Sequence, residues 1–211
     1  MTTTAPARGR ELHFESVPRA AWSPRLSKPD RVQLASLKSG ASRLREHVAV
    51  LGTACGFGAL LVRQTPQFPL DRATALVRTL DKAFDADDPG AVLAAALPLL
   101  GLGAGLTPSG DDLVGGALFG RRLVSSVDPR WASVGRKLAK EIRHRSHAVS
   151  AALFADLAAG RSFAPLHELA DALVASDDEA AVRAARSLVG IGHSSGWDML
   201  AGFLTGVGAT G

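Results

Sequence analysis

Tyrosine is absent, cysteine occurs once, and aromatic residues make up only 5% of the chain. The lone thiol, Cys55, excludes an internal disulfide framework and any zinc site built from cysteines, and it fits a reducing compartment. Charge of either sign is nowhere concentrated: 24 Lys and Arg stand against 20 Asp and Glu. With few aromatics for base stacking and no dense basic run, no nucleic-acid partner is expected. Long apolar runs are missing too. The longest uncharged stretch, residues 89–110, is interrupted by Pro98, Gly101, Gly103 and Gly105. It predicts a buried helix entering a glycine-rich loop, not a membrane span. The first residues, MTTTAPARGRELHFE, hold no apolar segment of the kind found in signal peptides. A cytoplasmic protein that meets no membrane is expected.

Alanine and leucine at helical spacing dominate what is there. Hydrophobic residues make up 46% of 211, ordinary globular composition that favours one domain. Residues 1–29 carry Pro6, Pro18, Pro24 and Pro29 and predict an extended arm with a short strand near residues 12–17. From Asp30 the apolar period is helical. Helices are predicted over residues 30–50, 70–84, 88–100, 128–144, 148–159, 164–174 and 178–188, with 56–64 continuing the first or standing alone. Asp88 before Pro89 and Asp128 before Pro129 are start signals, an N-cap followed by proline at the first helical position. Period-2 runs of Val, Ile and Thr are nearly missing. The expected fold class is mainly α: a short extended or β arm over 1–29, then a compact multi-helix domain over 30–211.

One local echo stands out. Residues 109–120 read SGDDLVGGALFG and residues 195–206 read SGWDMLAGFLTG. Ser109, Gly110, Asp112, Gly116, Leu118 and Gly120 match Ser195, Gly196, Asp198, Gly202, Leu204 and Gly206 at one constant offset. Glycine-rich leads, GLGAGLTP and GIGHS, precede the two blocks. The pattern predicts two equivalent glycine-rich loop-to-helix elements. Ser109 and Ser195 are expected N-caps, with Asp112 and Asp198 at capping-box spacing. Free N–H groups at the positive end of each helix dipole, with flanking glycines, make an anion site. The Gly116/Gly120 and Gly202/Gly206 spacing predicts close helix contact, by analogy with membrane helices. A purely structural account stays open beside this one, in which the serines and aspartates only cap and the glycines only pack.

The stretch GLGAGLTPSGDDLVGGAL, residues 101–118, resembles the signature of a bacterial family that includes the AllH-type subunit of oxamate carbamoyltransferase, of anaerobic allantoin breakdown. GIGHSSGWDMLAGFLTG, residues 190–206, resembles the family's C-terminal motif, and RSHAVSAALFADLAAG, residues 145–160, its middle stretch. The likeness covers roughly residues 90–211. It implies carbamoyl transfer between an oxamate nitrogen and phosphate by direct attack, without a protein nucleophile. Asp111, Asp112, His193 and Asp198 are the implied catalytic side chains. Gly105, Thr107, Ser109, Gly110, Ser194, Ser195 and Gly196 are the implied substrate-binding positions. Asp111 faces Trp197 in the alignment of the two blocks, which marks it as the more chemical acid of its pair. No cofactor and no metal are expected. The expected ligand is a small anion such as phosphate or an oxamate-like compound. Expected macromolecular partners are hetero-subunits or further copies of the chain. The competing function is a non-catalytic anion-binding or assembly subunit of a multi-chain enzyme, or a purely structural helical protein.

Three further groups are expected to serve structure, the alternatives being substrate or metal binding at the first and a nucleophilic role at Cys55. His144, Arg145 and His147 complement a helix C-terminus. Cys55 is expected as a small buried hydrophobe. Trp22, Trp131 and Trp197 are expected to pack, with Trp197 notable for its place in the second block.

Overall fold

The computed structural model describes residues 29–125 and 128–208. The proposed arm and its strand therefore fall almost wholly outside the described residues. Among the described residues all regular structure is helical, as expected. The α-helices are α1 (Arg31–Glu46), α2 (Thr74–Asp85), α3 (Pro89–Ala96), α4 (Ser109–Val124) and α5 (Pro129–Glu141). They continue with α6 (Ala148–Ala158), α7 (Ala164–Val174), α8 (Asp178–Val189) and α9 (Ser195–Val207). Short 3-10 turns cover Val48–Leu51, Gly56–Val62, Leu70–Ala73, Leu97–Leu99 and Ile142–His144. They occupy several ends that the sequence predicts as helix, and Gly56–Val62 stands apart from α1. No helix among the described residues is long and apolar enough to cross a membrane.

Helices α4 and α9 form the centre, and almost every residue of both is buried. One core, with Leu37, Leu166, Leu188 and Phe203, gathers α1, α7, α8 and α9. The other, with Leu80, Leu99, Val114 and Leu138, gathers α2 to α5. The two central helices run parallel, because Ser109 lies beside Ser194 at one end and Gly120 beside Phe203 and Val207 further along. Glycine makes this possible. A Cβ on Gly116 would meet the backbone of Met199, and one on Gly202 the backbone of Leu113. Gly120 faces the Phe203 carbonyl in the same way, and Gly206 the Ala117 carbonyl. The contacts interchange under the offset that relates the two sequence blocks, so the pair has a local twofold relation. Interior glycine costs about 0.5–1 kcal/mol per position, and backbone contact along two turns offsets it.

The repeat extends further than the sequence shows. Each central helix follows a helical hairpin, α2–α3 or α7–α8, and a glycine-rich loop. Both hairpins turn through a left-handed residue, Asp87 at φ 50 and Ser176 at φ 59. In each, the next amide reaches back into the first helix: Asp88 to the Ala83 carbonyl at 3.1 Å, and Asp177 to the Ala172 carbonyl at 2.9 Å. That is Schellman closure without glycine. The same aspartates then cap the second helix, Asp88 on the amides of Gly90 and Ala91 and Asp177 on that of Ala180. Arg121 clamps α4 to the first hairpin. Its guanidinium donates to the Phe84 carbonyl at 2.6 Å, pairs with Asp87 at 3.2 Å, and lies 4.8 Å from the Trp131 ring centroid.

Candidate functional site

The parallel packing brings both helix starts to one place. Pro108 and Ser194 are the capping residues, not Ser109 and Ser195, and neither helix has a side-chain cap bond. Ser109 and Ser195 are the first helical residues, so the expected capping boxes do not form. The physical reason is proximity: the glycine-faced helices approach closely enough for each start to bond across the pair. Thr107 Oγ1 lies 3.0 Å from Ser195 Oγ, and Ser109 Oγ lies 3.3 Å from Ser194 Oγ. The Ser195 and Thr107 hydroxyls approach the Asp112 carboxylate, while those of Ser109 and Ser194 approach Asp198. The two blocks exchange hydroxyls reciprocally.

Asp112 and Asp198 are 5% and 0% exposed. Asp198 Oδ1 accepts the Phe57 N–H at 2.6 Å. Oδ2 of both carboxylates is buried with no partner in bonding geometry, although the nearby hydroxyls partly stabilise the charge. Burial therefore dominates and pushes both pKa values up to about 7. The Asp198 charge raises Asp112 further. Both groups are poised to hold or release a proton near neutral pH, the property that general acid–base work requires. Asp112 also lines a cavity of about 200 Å³, with Arg161, Ser162, Phe163, Leu153 and Met199 among its walls. Ser162 Oγ is a second buried polar atom without a partner there.

Asp111 does different work. Its Oδ1 accepts the Gly101 N–H at 2.7 Å, and its Oδ2 accepts the Ser146 hydroxyl and that of Ser150 at 2.7 Å. It ties the glycine-rich loop to the start of α6, with both oxygens engaged. The Asp111→Asn change is expected to lose about 2–3 kcal/mol in chemical denaturation, because two hydroxyl donors meet an amide NH2 in place of a charged oxygen. An unchanged denaturation midpoint would show that these bonds carry no weight.

The remaining candidates divide. Gly105 is exposed at φ 92 in the first loop, in a conformation that favours glycine. Gly110 and Gly196 pack against the carbonyls of Leu99 and Leu188, which explains their lack of a side chain without a ligand. Their amides donate to Leu102 and Ile191 at 2.9 and 3.0 Å, and those of Asp112 and Asp198 to Pro108 and Ser194 at 3.2 and 2.9 Å. Much of the N–H supply expected for an anion is thus committed to the loops. His193 is exposed, and its carbonyl accepts from the Cys55 thiol at 3.0 Å. Cys55 is half-buried, not the sealed hydrophobe expected; burial, then the Asp198 charge, raises its pKa and keeps it a thiol. Trp197 packs on Gly58. No group of three or more His, Cys, Asp or Glu side chains able to hold a metal occurs among the described residues.

Sequence reasoning missed Phe57, Gly56, Ser146, Arg161 and Ser162, whereas Ser150 stood out as a matching serine in the middle stretch of the family resemblance. One signal was available for Gly56: in GTACGFGALL, glycines flank Phe57, and a Cβ at Gly56 would strike the Asp198 carboxylate. In comparisons with known proteins, the family model described as oxamate carbamoyltransferase subunit AllH matches residues 99–207. No curated protein and no solved structure matches the chain. The matched residues contain both central helices, both glycine-rich loops and the buried carboxylate pair.

Proposed function

This chain belongs to the family of oxamate carbamoyltransferase subunit AllH, and on that premise we propose that it supplies an acid pair, Asp112 and Asp198, to carbamoyl transfer. The observation that carries the proposal is the unpartnered, buried Oδ2 on each carboxylate, at two adjoining helix starts, with both groups near neutrality. Phosphate attacks the carbamoyl carbon of an N-carbamoyl oxamate, and the bond from that carbon to the oxamate nitrogen breaks. The departing nitrogen takes up one proton, and the attacking phosphate gives one up. A carboxyl of the pair donates the first proton while its partner accepts the second, so atoms and charge balance without a protein nucleophile. The carbamoyl NH2 donates to Oδ2 of whichever carboxylate is ionised. The hydroxyls of Thr107, Ser109, Ser194 and Ser195 hold the phosphate and carboxylate oxygens, and the positive ends of α4 and α9 favour that charge. Sharing protons lowers the negative charge that would repel an anionic substrate.

Calorimetric titration of the full chain with oxamate tests this, because oxamate keeps a constant charge between pH 6 and 8. Affinity is expected to fall about tenfold or more across that range as the pair ionises, since each lost proton adds a like charge beside the ligand. Binding that does not vary with pH, or no binding at all, would sink the proposal.

A further inference from the structure

The two acids of the pair meet different surroundings. Asp198 is 0% exposed and holds the Phe57 amide. Asp112 lines the cavity of about 200 Å³, which lies below the ~300 Å³ at which sites for drug-sized ligands begin. Two polar atoms of the lining residues are buried without a partner, Asp112 Oδ2 and Ser162 Oγ. Leaving such atoms unbonded is costly, so two of them on one cavity call for a ligand that bonds both. The Ser162 amide donates to His167 Nε2 at 3.2 Å, which fixes the residue that carries the hydroxyl. The other lining charges are matched to each other: Arg161 donates from Nε and Nη2 to Asp156 Oδ1 at 3.0 and 2.7 Å. Asp112 has no counter-charge among the lining residues. The cavity also has apolar surface within reach, since Leu153 is half-buried and Phe163 is 40% exposed.

An anion here would set a like charge beside Asp112, with Arg161 already engaged by Asp156. An uncharged terminal amide suits the two orphaned atoms, because one planar group offers both NH2 donors and a carbonyl acceptor. We propose that this cavity takes an uncharged primary amide or ureide with a small apolar body. Its NH2 donates to Asp112 Oδ2, its carbonyl accepts the Ser162 hydroxyl, and its body lies on Leu153 and Phe163. The proposal rests on the acid-pair reading in taking Asp112 as a side chain that substrate touches. It adds a class of ligand, neutral and apolar-bodied, beside the oxamate-like anion.

Phenylurea, its 1,1-dimethyl-3-phenyl analogue and benzoate, titrated into the full chain by calorimetry at pH 8, are the probes. Phenylurea is expected to bind saturably, and about tenfold tighter than the dimethyl analogue, which has no terminal N–H for a charged acceptor. Benzoate is expected to bind about tenfold more weakly than phenylurea, since its charge opposes that of Asp112. Ser162→Ala removes a hydroxyl that has no partner, so the fold loses no bond, and it is expected to weaken phenylurea about tenfold. No saturable binding of phenylurea, equal binding of the dimethyl analogue, or tighter binding of benzoate would overturn the proposal. So would a Ser162→Ala variant that binds phenylurea as the parent does. Oxamate affinity that falls with pH, beside phenylurea that does not bind, would strike this proposal and leave the acid pair standing. Phenylurea binding that depends on Ser162, beside oxamate binding indifferent to pH, would keep this proposal and strike the acid pair.

Discussion

The Asp112→Asn and Asp198→Asn variants are expected to be more stable than the parent protein at pH 8 and to lose turnover by about 10²–10⁴-fold. In the folded protein both carboxyls titrate at about 7, because burial outweighs the hydroxyls and the Phe57 amide. In the unfolded chain an aspartate titrates at about 4. Between about pH 4 and pH 7 the folded state therefore holds protons that the unfolded state has released. Stability falls as pH rises through that window, and the full loss is present above about pH 7. Asparagine does not titrate, so each variant removes its share of the slope. At pH 8 the gain is on the order of a few kcal/mol per site, the size of a three-unit shift. The Asn side-chain oxygen still accepts from the amide that Asp198 holds, and its NH2 lies among serine hydroxyls that accept. Turnover is expected to fall because an amide neither gives nor takes the proton. Denaturation at pH 5 and pH 8 supplies the stabilities. A parent protein whose stability is flat across this range would mean that the pair carries no buried charge. Variants that keep full turnover would return both residues to a structural role.

The largest destabilisation is expected at Gly202. A Cβ there would lie closer than 3.0 Å to the Leu113 carbonyl carbon and to the Ala117 amide nitrogen. These are backbone atoms with no rotamer to yield, so α4 and α9 must separate. Gly202→Ala is expected to cost about 3 kcal/mol, at the upper end of overpacking, and Gly202→Leu to prevent folding. The sign opposes intrinsic propensity, since alanine favours a helix over glycine by about 1 kcal/mol. Gly90→Ala is the control. Gly90 is exposed near the start of α3, and an added Cβ meets only the Asp88 carboxylate, at 3.3 Å. A change within about 1 kcal/mol is expected there. Thermal and denaturant unfolding of the three variants measures all of this. Equal stability of Gly202→Ala and the parent would mean that the helices do not meet on their glycines.

The same pair of helices shows what was legible in advance. The glycine spacing at 116/120 and 202/206 pointed to close contact, because a costly residue repeated on one face needs a packing reason. The Asp–Pro starts of α3 and α5 were legible because capping is local chemistry, settled within three residues. The hairpin repeat was not legible. Asp87 and Ser176 occupy the same left-handed position with different side chains, and Schellman closure is made by backbone atoms that leave no mark in the sequence. The partners of Asp111 were not legible either. Its lack of a counterpart in the second block pointed to chemistry, and the bonds it makes to Gly101, Ser146 and Ser150 come from residues 10, 35 and 39 positions away, beyond any local rule.

By itself the sequence determined the helical class, most helix starts and the paired blocks that carry the acids Asp112 and Asp198. These depend on periodicity, caps and local spacing, which act over a few residues. Tertiary structure alone decided what those acids touch. Ser-x-x-Asp is the spacing of a capping box and also of a side chain aimed outward from the first turn. Only the distance to a neighbouring helix chooses between them. Asp198 finds its backbone donor in Phe57, 141 residues away, and Ser195 its hydroxyl partner in Thr107, 88 residues away. No local rule reaches so far. The glycine faces of α4 and α9 bring the helix starts together, and burial there, rather than any motif, raises the carboxyls toward neutrality.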